Sequence, residues 1–502
     1  MIAHANRWIV AAATAALVLG VILSRVIEAG VRIEKVKLAG ETPALKFIPP
    51  GAGPHPVALL AHGYASSKEA FFRYGEALAA AGFVCYSVDQ PGHGASLRKF
   101  AFMDTVRTLE AVAQEIGPVD VFAGWSMGGA AGGEAVRKGG MRPGLFIAIG
   151  SMPVLGDHAP PLLILAGQFE EAVTPALLKT RTEARLVISP WSDHLLEGFD
   201  PLLVNAAVDA SCAAVHKTSP APPTAWRWRL LGAALAMLAA SALASCLTDV
   251  FPQLARFRGL FIGLFIATAF MLTIGGRWLE ATPHVRLQII ALPVILLLAI
   301  IAGKLRIPRW SLVPLCVVVT AIAVCWFMAS PSRPALIFMA STLVLTPALI
   351  AGVVIGWFAA RRGSRLQGDI AMGIFLGCVP FQCLELPQTA PRASTPHVAI
   401  KLNGKLLDAC VGEYIFPPDN AFWLEWKLTI RRQGDHLVEQ ITVKNESEAA
   451  VEIFPESEDT FYVDGDDPHS LTFVKNQKGD VAAVTMRSPG WPVREGKKLR
   501  SE

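Results

Sequence analysis

Ser126 stands in Gly124-Trp125-Ser126-Met127-Gly128, with Gly129 behind it, directly after the apolar run Val119–Ala123 and before the helix-like stretch Ala130–Arg137. A serine hydroxyl is a weak nucleophile near neutral pH and attacks a carbonyl only when a neighbouring base takes its proton. A sharp strand-to-helix turn exposes such a serine, and flanking glycines leave room for the strained backbone of the turn. In a chain with 42 glycines the glycine-serine-glycine spacing alone is weak; the strand before it and the helix after it make it specific.

A histidine can serve as that base, and His194 stands in Trp191-Ser192-Asp193-His194, just after the candidate strand Arg185–Ser189. Carboxylates that could orient the imidazole are Glu170, Glu171 and Asp157, whereas Asp193, adjacent to His194, reads as a turn residue. Charge developing on a carbonyl oxygen needs fixed donors. The backbone N–H of Met127, after the serine, and that of Tyr64, in His62-Gly63-Tyr64 after the strand Val57–Ala61, are the candidates.

These residues need a scaffold that brings strand ends together. Short apolar runs at Val57–Ala61, Val84–Asp89, Val119–Ala123, Leu145–Gly150, Leu162–Ala166 and Arg185–Ser189 alternate with helical stretches such as Lys68–Ala81 and Met103–Glu115. That alternation predicts a mostly parallel sheet with helices on both faces. The domain runs over residues 31–217 and ends at a Pro-rich linker, 218–225.

The run Leu59–Ser96, with Asp89-Gln90-Pro91-Gly92-His93-Gly94 at a strand end and Gly-Trp-Ser-Met-Gly-Gly after it, resembles the α/β-hydrolase superfamily, close to its serine aminopeptidase and monoacylglycerol-lipase-like branch. The resemblance covers about a third of the chain. It implies a triad in the order Ser126, acid, His194, which leaves His62 and His93, before the serine, His158, too close after it, and His216, in the linker, as structural. The mechanism it implies runs through an acyl-enzyme, with no metal or organic cofactor. It also implies Glu170 as the acid, with Glu171 and Asp157 as alternatives. Glu170 lies three residues beyond Gly167 and before Val173-Thr174-Pro175, where most members of the branch carry Asp. Only a short segment separates Leu145–Gly150 from Leu162, where many relatives insert a helical cap, so an open site is expected.

The rest of the chain is not that of a soluble enzyme. Of 502 residues 53% are hydrophobic and 17% charged, with mean hydropathy +0.44, against about 25% charged in ordinary domains. The net charge of +4 is too small in so long a chain to suggest a nucleic-acid partner. Trp8–Leu23, within residues 1–30, reads as a signal anchor, because Ser24–Gly30 shows no small-x-small cleavage pattern. Residues 226–387 hold six apolar runs: Leu230–Leu247, Leu260–Ile274, Leu287–Ala302, Leu312–Ala329, Ala335–Ala360 and Ile370–Leu386. Each is near the roughly 20 residues that span a bilayer, so a six-helix transmembrane region is expected and the lipid bilayer is a partner. With the N-terminus cytoplasmic, nine Lys and Arg fall in inside segments and three in short outside loops. The positive-inside rule then places both polar domains outside the cytoplasm.

Residues 388–502 return to polar, alternating segments, among them Trp423–Ile430, His436–Val443, Thr460–Val463, Leu471–Val474 and Val481–Met486, and predict a small antiparallel β domain. Val411-Gly412-Glu413-Tyr414 and Phe454-Pro455-Glu456-Ser457 resemble a β-sandwich or lipocalin-like domain often found after serine-β-lactamase-like enzymes. Asp464-Gly465-Asp466-Asp467 reads as a solvated turn, since the spacing of a calcium loop is absent. Three functions fit: a serine hydrolase cleaving an acyl ester, a serine peptidase with the same residues, or a membrane receptor or scaffold carrying an inactive hydrolase-like domain.

Overall fold

A computed structural model describes residues 2–250 and 399–499, except 65, 158, 171–172, 195, 421–423, 444–445, 448–449 and 464–468, together with 265, 269 and 273. After the apolar helix α1 (Ile2–Ser24), the strands β1 (Arg32–Leu38) and β2 (Thr42–Ile48) form an antiparallel hairpin. β1 is exposed along Arg32, Glu34, Lys35 and Lys37, and such a charged sheet edge discourages further pairing. Both strands precede those read from the sequence, because their charges interrupt the apolar pattern that marks the others.

The remaining strands follow the expected alternation: β3 (Val57–Ala61), α2 (Phe72–Ala80), β4 (Val84–Val88), α3 (Phe102–Ile116), β5 (Val121–Trp125), α4 (Met127–Arg137), β6 (Leu145–Ile149), β7 (Leu162–Phe169), α5 (Pro175–Leu178), β8 (Arg185–Asp193) and α6 (Pro201–Ala214). The sheet order is β1-β2-β4-β3-β5-β6-β7-β8. β2 pairs antiparallel with β4, and every pair from β4 to β8 is parallel. β5 and β6 are buried at every position, as strands covered on both faces must be. On one face Phe71, Tyr74 and Leu78 pack with Leu203, Val204 and Ala207 of α6; on the other Val106, Leu109 and Val112 of α3 pack with Ala131 and Ala135 of α4. The strand expected at Val119–Ala123 extends to Trp125, and α4 begins at Met127, so Ser126 is the single residue between strand and helix.

Among the described residues two helices are long and apolar enough to cross a membrane, by length and composition: Arg7–Ser24 within α1, and Ala225–Cys246 within α7 (Ala225–Val250). α7 contains the first expected run; apart from residues 265, 269 and 273 of the second, the other five lie outside the described residues, as does the turn at 464–467.

After α8 (Gly404–Cys410), capped by the Asn403 side chain accepting from the N–H of Leu406, come β9 (Gly412–Phe416), β10 (Trp426–Gln433), β11 (His436–Val443), β12 (Glu446–Ser447), β13 (Val451–Pro455), β14 (Thr460–Val463), β15 (His469–Lys475), β16 (Val481–Arg487) and β17 (Arg494–Lys498). Their order is β10-β9-β17-β16-β15-β14-β13-β11, and β10 also pairs with β11, which closes an eight-stranded antiparallel barrel with β12 beside β11. Closure removes both sheet edges. The interior holds Tyr414, Phe416, Trp426, Leu428, Leu437, Phe461 and Phe473, with Phe416 stacked on Trp426 at 4.0 Å. Cys212 and Cys410 are both free and buried. The barrel meets the hydrolase-like domain at Asn420, whose side chain donates to the Val154 carbonyl and accepts from the Val154 N–H, and at Trp491, stacked on Phe102.

Candidate active site

Ser126 has φ 51° and ψ −116°, a left-handed backbone that a serine adopts only where its surroundings enforce it. They do so here: its N–H donates to the Ile149 carbonyl at 2.8 Å. A Cβ on Gly128 would lie 2.0 Å from the Ala61 carbonyl oxygen, and one on Gly124 would lie 2.5 Å from the Gly129 nitrogen. These positions admit only glycine. Met127 is the first residue of α4, so its N–H has no partner within the helix and points with the positive end of the helix dipole. Gly63 lies over the serine, since a Cβ there would approach Ser126 Cβ at 3.3 Å. Tyr64 follows it, with its ring packed edge-on against His93 and Phe100.

The segment that carries Tyr64 is held from below by a buried ion pair that sequence reading missed. Asp89, at the end of β4, accepts from Lys68 N at 2.8 Å, from Lys68 Nζ at 2.7 Å and from Ala95 N at 2.9 Å. Burial would lower the Lys68 pKa, but Asp89 and Glu69 raise it above the ordinary lysine value. Lys68 sits in Ser67-Lys68-Glu69, which reads as an exposed helix start; the only sequence signal is Asp89 closing an otherwise apolar strand.

His194 lies just past β8, its ring 6.2 Å from that of Trp125, and its Nδ1 is 2.8 Å from Glu170 Oε2. Glu170 is buried and its Oε1 accepts from the Val173 N–H. Burial alone would raise its pKa, but His194 and these hydrogen bonds hold it below the ordinary carboxylate value. Of the alternative acids, Asp157 is exposed after β6 and Glu171 lies outside the described residues. Asp193 accepts from the Leu196 N–H, as a turn residue does. Ser126 is 7% exposed and His194 9%; among the described residues of the crossover between β6 and β7, 150–161, there is no cap helix.

The other histidines occupy structural positions where they are described. His62 Nδ1 donates to the Gly63 carbonyl and its Nε2 accepts from the Gln90 N–H, so both ring nitrogens are used in the neutral form. Burial lowers its pKa to about 4, and burial together with His62 lowers that of His93 to about 3. His216 is exposed beyond α6, and His158 lies outside the described residues.

A second carboxyl group, Glu197, was not expected. It is fully buried, its Oε1 accepts from the Gly167 N–H at 2.7 Å and its Oε2 is 3.9 Å from His194 Nδ1. Burial first, and the facing Glu170 carboxylate second, push its pKa well above the ordinary value. Glu197 is therefore the protonated member of the pair and Glu170 the ionised one. One donor atom from each of Glu170, His194 and Glu197 lies within 4.8 Å of the others, a spacing that could hold a cation. However, Nδ1 is already engaged by Glu170 and a protonated Glu197 is a poor ligand, so the group works better as a hydrogen-bonded relay. Gly150, with φ +51°, makes the space: a Cβ there would lie 2.3 Å from Glu197 Oε2 and 2.8 Å from His194 Nδ1.

Residues 58–249 match the model of the alpha/beta hydrolase family. A monoacylglycerol lipase of Mycolicibacterium smegmatis is 30% identical over 140 residues, 26% of this chain and 49% of that protein, so the chain spans about half the length of this curated relative. Among solved structures, a monoacylglycerol lipase of Paleococcus ferrophilus aligns at 15% identity and TM-score 0.30, covering 35% of this chain and 99% of that one. An esterase of M. tuberculosis aligns at 14% and 0.32, covering 41% and 99%. The sheet order and the elbow at Ser126 agree with this match of residues 58–249 to the alpha/beta hydrolase family.

Proposed function

We propose that the protein is a membrane-anchored serine hydrolase that cleaves an acyl ester through Ser126, His194 and Glu170. The observation that carries this reading is the 2.8 Å contact of His194 Nδ1 with an ionised, buried Glu170, at the end of the sheet where Ser126 occupies its strained turn. His194 Nε2 takes the Ser126 proton as Oγ attacks the ester carbonyl, and Glu170 stabilises the imidazolium. The N–H groups of Met127 and Tyr64 receive the oxyanion. Collapse of the tetrahedral intermediate breaks the acyl C–O bond, and the imidazolium proton leaves with the alcohol. Water, deprotonated by His194, then adds to the acyl-enzyme and releases the acid and the free serine. The anchor is α1 with α7, and the apolar runs between residues 260 and 386 extend the membrane region. By the positive-inside count the hydrolase domain and the barrel face away from the cytoplasm.

The test is covalent labelling of the full-length protein in membranes by a fluorophosphonate probe. Labelling is expected in the wild type and lost in Ser126→Ala and His194→Ala. A folded, unlabelled wild type overturns the reading in favour of a receptor or scaffold. Turnover of p-nitrophenyl esters without turnover of aminoacyl amides supports the esterase; the reverse identifies a peptidase.

A further inference from the structure

α1 and α7 lie side by side so closely that a Cβ on Gly20 would meet the Gly232 carbonyl oxygen at 2.6 Å, and one on Gly232 would meet that of Gly20 at 2.5 Å. The outer surface of the pair exposes Trp8, Leu19, Ile22, Trp228, Leu230 and Leu231. The pair is fixed to the hydrolase domain at one end. Glu28 Oε2 accepts from the N–H groups of Thr224 and Ala225 at the start of α7. Arg229 forks onto Glu76 of α2 at 2.7 and 2.6 Å and also donates to the Val26 carbonyl.

This junction continues into the rim of the active site. The Arg73 guanidinium stacks over Trp226 of α7 at 4.7 Å and donates to the Phe199 carbonyl. Phe199 belongs to the loop that follows His194, and this loop, with the strand ends beside it and the first turn of α6, exposes five large apolar side chains: Phe169, Trp191, Leu196, Phe199 and Leu202. Trp191 is 82% exposed and Phe169 64%, although Phe169 stands opposite Asp193 in the sheet register, one residue from His194. Large aromatic side chains this open to water, next to a pair of apolar helices flanked by Arg25, Arg227 and two tryptophans, match the aromatic and basic composition of a membrane interface.

We propose that the rim formed by Phe169, Trp191, Leu196, Phe199 and Leu202 sits in the interfacial layer of the bilayer that α1 and α7 cross, and that the site takes its acyl ester from lipids of that leaflet. The proposal rests on the membrane-anchored hydrolase reading and names its substrate class. The bilayer is the occupant because the apolar surface of the helix pair and that of the rim meet at the Arg73–Trp226–Phe199 contact. The helix pair also fixes the distance of the rim from the membrane, so docking needs no mobile cap.

The experiment uses the full-length protein reconstituted in phosphatidylcholine vesicles. Trp191→Cys and Phe199→Cys, labelled with an environment-sensitive fluorophore, are compared with Gln114→Cys at the exposed end of α3. Quenching by doxyl-labelled lipid at 191 and 199 but not at 114 is expected. Quenching at 191 and 199 by aqueous iodide alone, or cross-linking of 191 to a second copy without lipid quenching, overturns the proposal. In the same vesicles Trp191→Gln/Phe199→Gln is expected to lose about tenfold or more in hydrolysis of embedded monoacylglycerol while keeping its rate on soluble p-nitrophenyl acetate within about twofold. An equal loss on both substrates overturns it. If the wild type turns over neither substrate and takes up no fluorophosphonate, the hydrolase reading fails, while the quenching result still decides whether the rim meets the membrane.

Discussion

Glu170 and Glu197 both present a carboxyl oxygen to His194 Nδ1, at 2.8 and 3.9 Å, and the two differ in charge state. Glu170 is held ionised by His194, while Glu197, fully buried and facing that negative charge, is held neutral. A single buried proton is thus placed behind the acid that orients the histidine, and its energetic consequence depends on pH.

For Glu197 the folded pKa lies above the unfolded one. Its contribution to stability is therefore complete below the unfolded value, about 4.3, and is lost as pH rises through the folded value. Glu197→Gln keeps an N–H donor toward Glu170 and cannot ionise. The variant is expected to match the wild type in urea unfolding at pH 4. It should become progressively more stable than the wild type as pH rises, by up to about 1.4 kcal/mol per pH unit, until the folded pKa is passed. A difference that stays flat or shrinks with rising pH would show that Glu197 ionises in the native state as readily as in the unfolded chain.

Glu170→Gln tests the choice of acid. The amide either donates to Nδ1 and fixes the wrong tautomer or leaves the imidazolium unpaired, and acid-to-amide changes in other triads cost about 10⁴ in kcat. A loss of about 10³ to 10⁴ in kcat with KM little changed is expected for Glu170→Gln, and less than about twofold for Glu171→Gln. Steady-state kinetics on a soluble nitrophenyl ester decide it; the opposite ranking moves the triad acid to Glu171.

His62 and His93 predict acid sensitivity. Both are buried neutral, with pKa values lowered to about 4 and about 3. Between pH 6.5 and 4 the unfolded chain binds these two protons and the native state does not, so stability falls as pH falls, with a contribution of about 2.7 kcal/mol per pH unit from the pair. Among the described residues His93 Nε2 has no hydrogen-bond partner, and its ring packs edge-on to His62, Tyr64 and Phe100. Phenylalanine preserves that packing. His93→Phe is therefore expected to reduce the steepness by about 1.4 kcal/mol per pH unit in denaturant titrations from pH 6.5 to 4; an unchanged slope would mean that His93 is already charged in the native state.

Which of these residues could be read from sequence follows from how local their signals are. Ser126 is announced by glycines within two residues on either side, and the chain order of Ser126, Glu170 and His194 is preserved in the linear sequence. Glu197 is different. It lies in Leu195-Leu196-Glu197-Gly198, which reads as a surface turn, and enters the core only because the loop folds back so that the Glu197 N–H reaches the Asp193 carbonyl. The pairing of Lys68 with Asp89 is likewise visible only once β3 and β4 lie side by side. The hairpin β1–β2 escaped because Lys35, Lys37 and Lys46 break its apolar pattern, and barrel closure depends on β10 pairing with both β9 and β11, a relation that local periodicity does not encode.

The joint between Glu76 and Arg229 couples the long apolar helix α7 to the hydrolase-like domain, and it can be broken cleanly. Both side chains are almost wholly buried. Glu76 accepts two bonds from Arg229 and one from the N–H of Glu28, so the carboxylate loses most of its compensation when the guanidinium is removed. Breaking a buried pair in this way costs about 3 to 5 kcal/mol, whereas replacing both members by apolar side chains of similar volume is often neutral. Arg229→Met is expected to lower the thermal midpoint of the full-length protein in detergent and to speed proteolysis in the 218–225 linker. Glu76→Met/Arg229→Met should recover most of the midpoint, because no charge is then left buried. A double variant as unstable as the single one would mean that Arg229 acts through its bond to the Val26 carbonyl and its packing over Phe72 rather than through the ion pair.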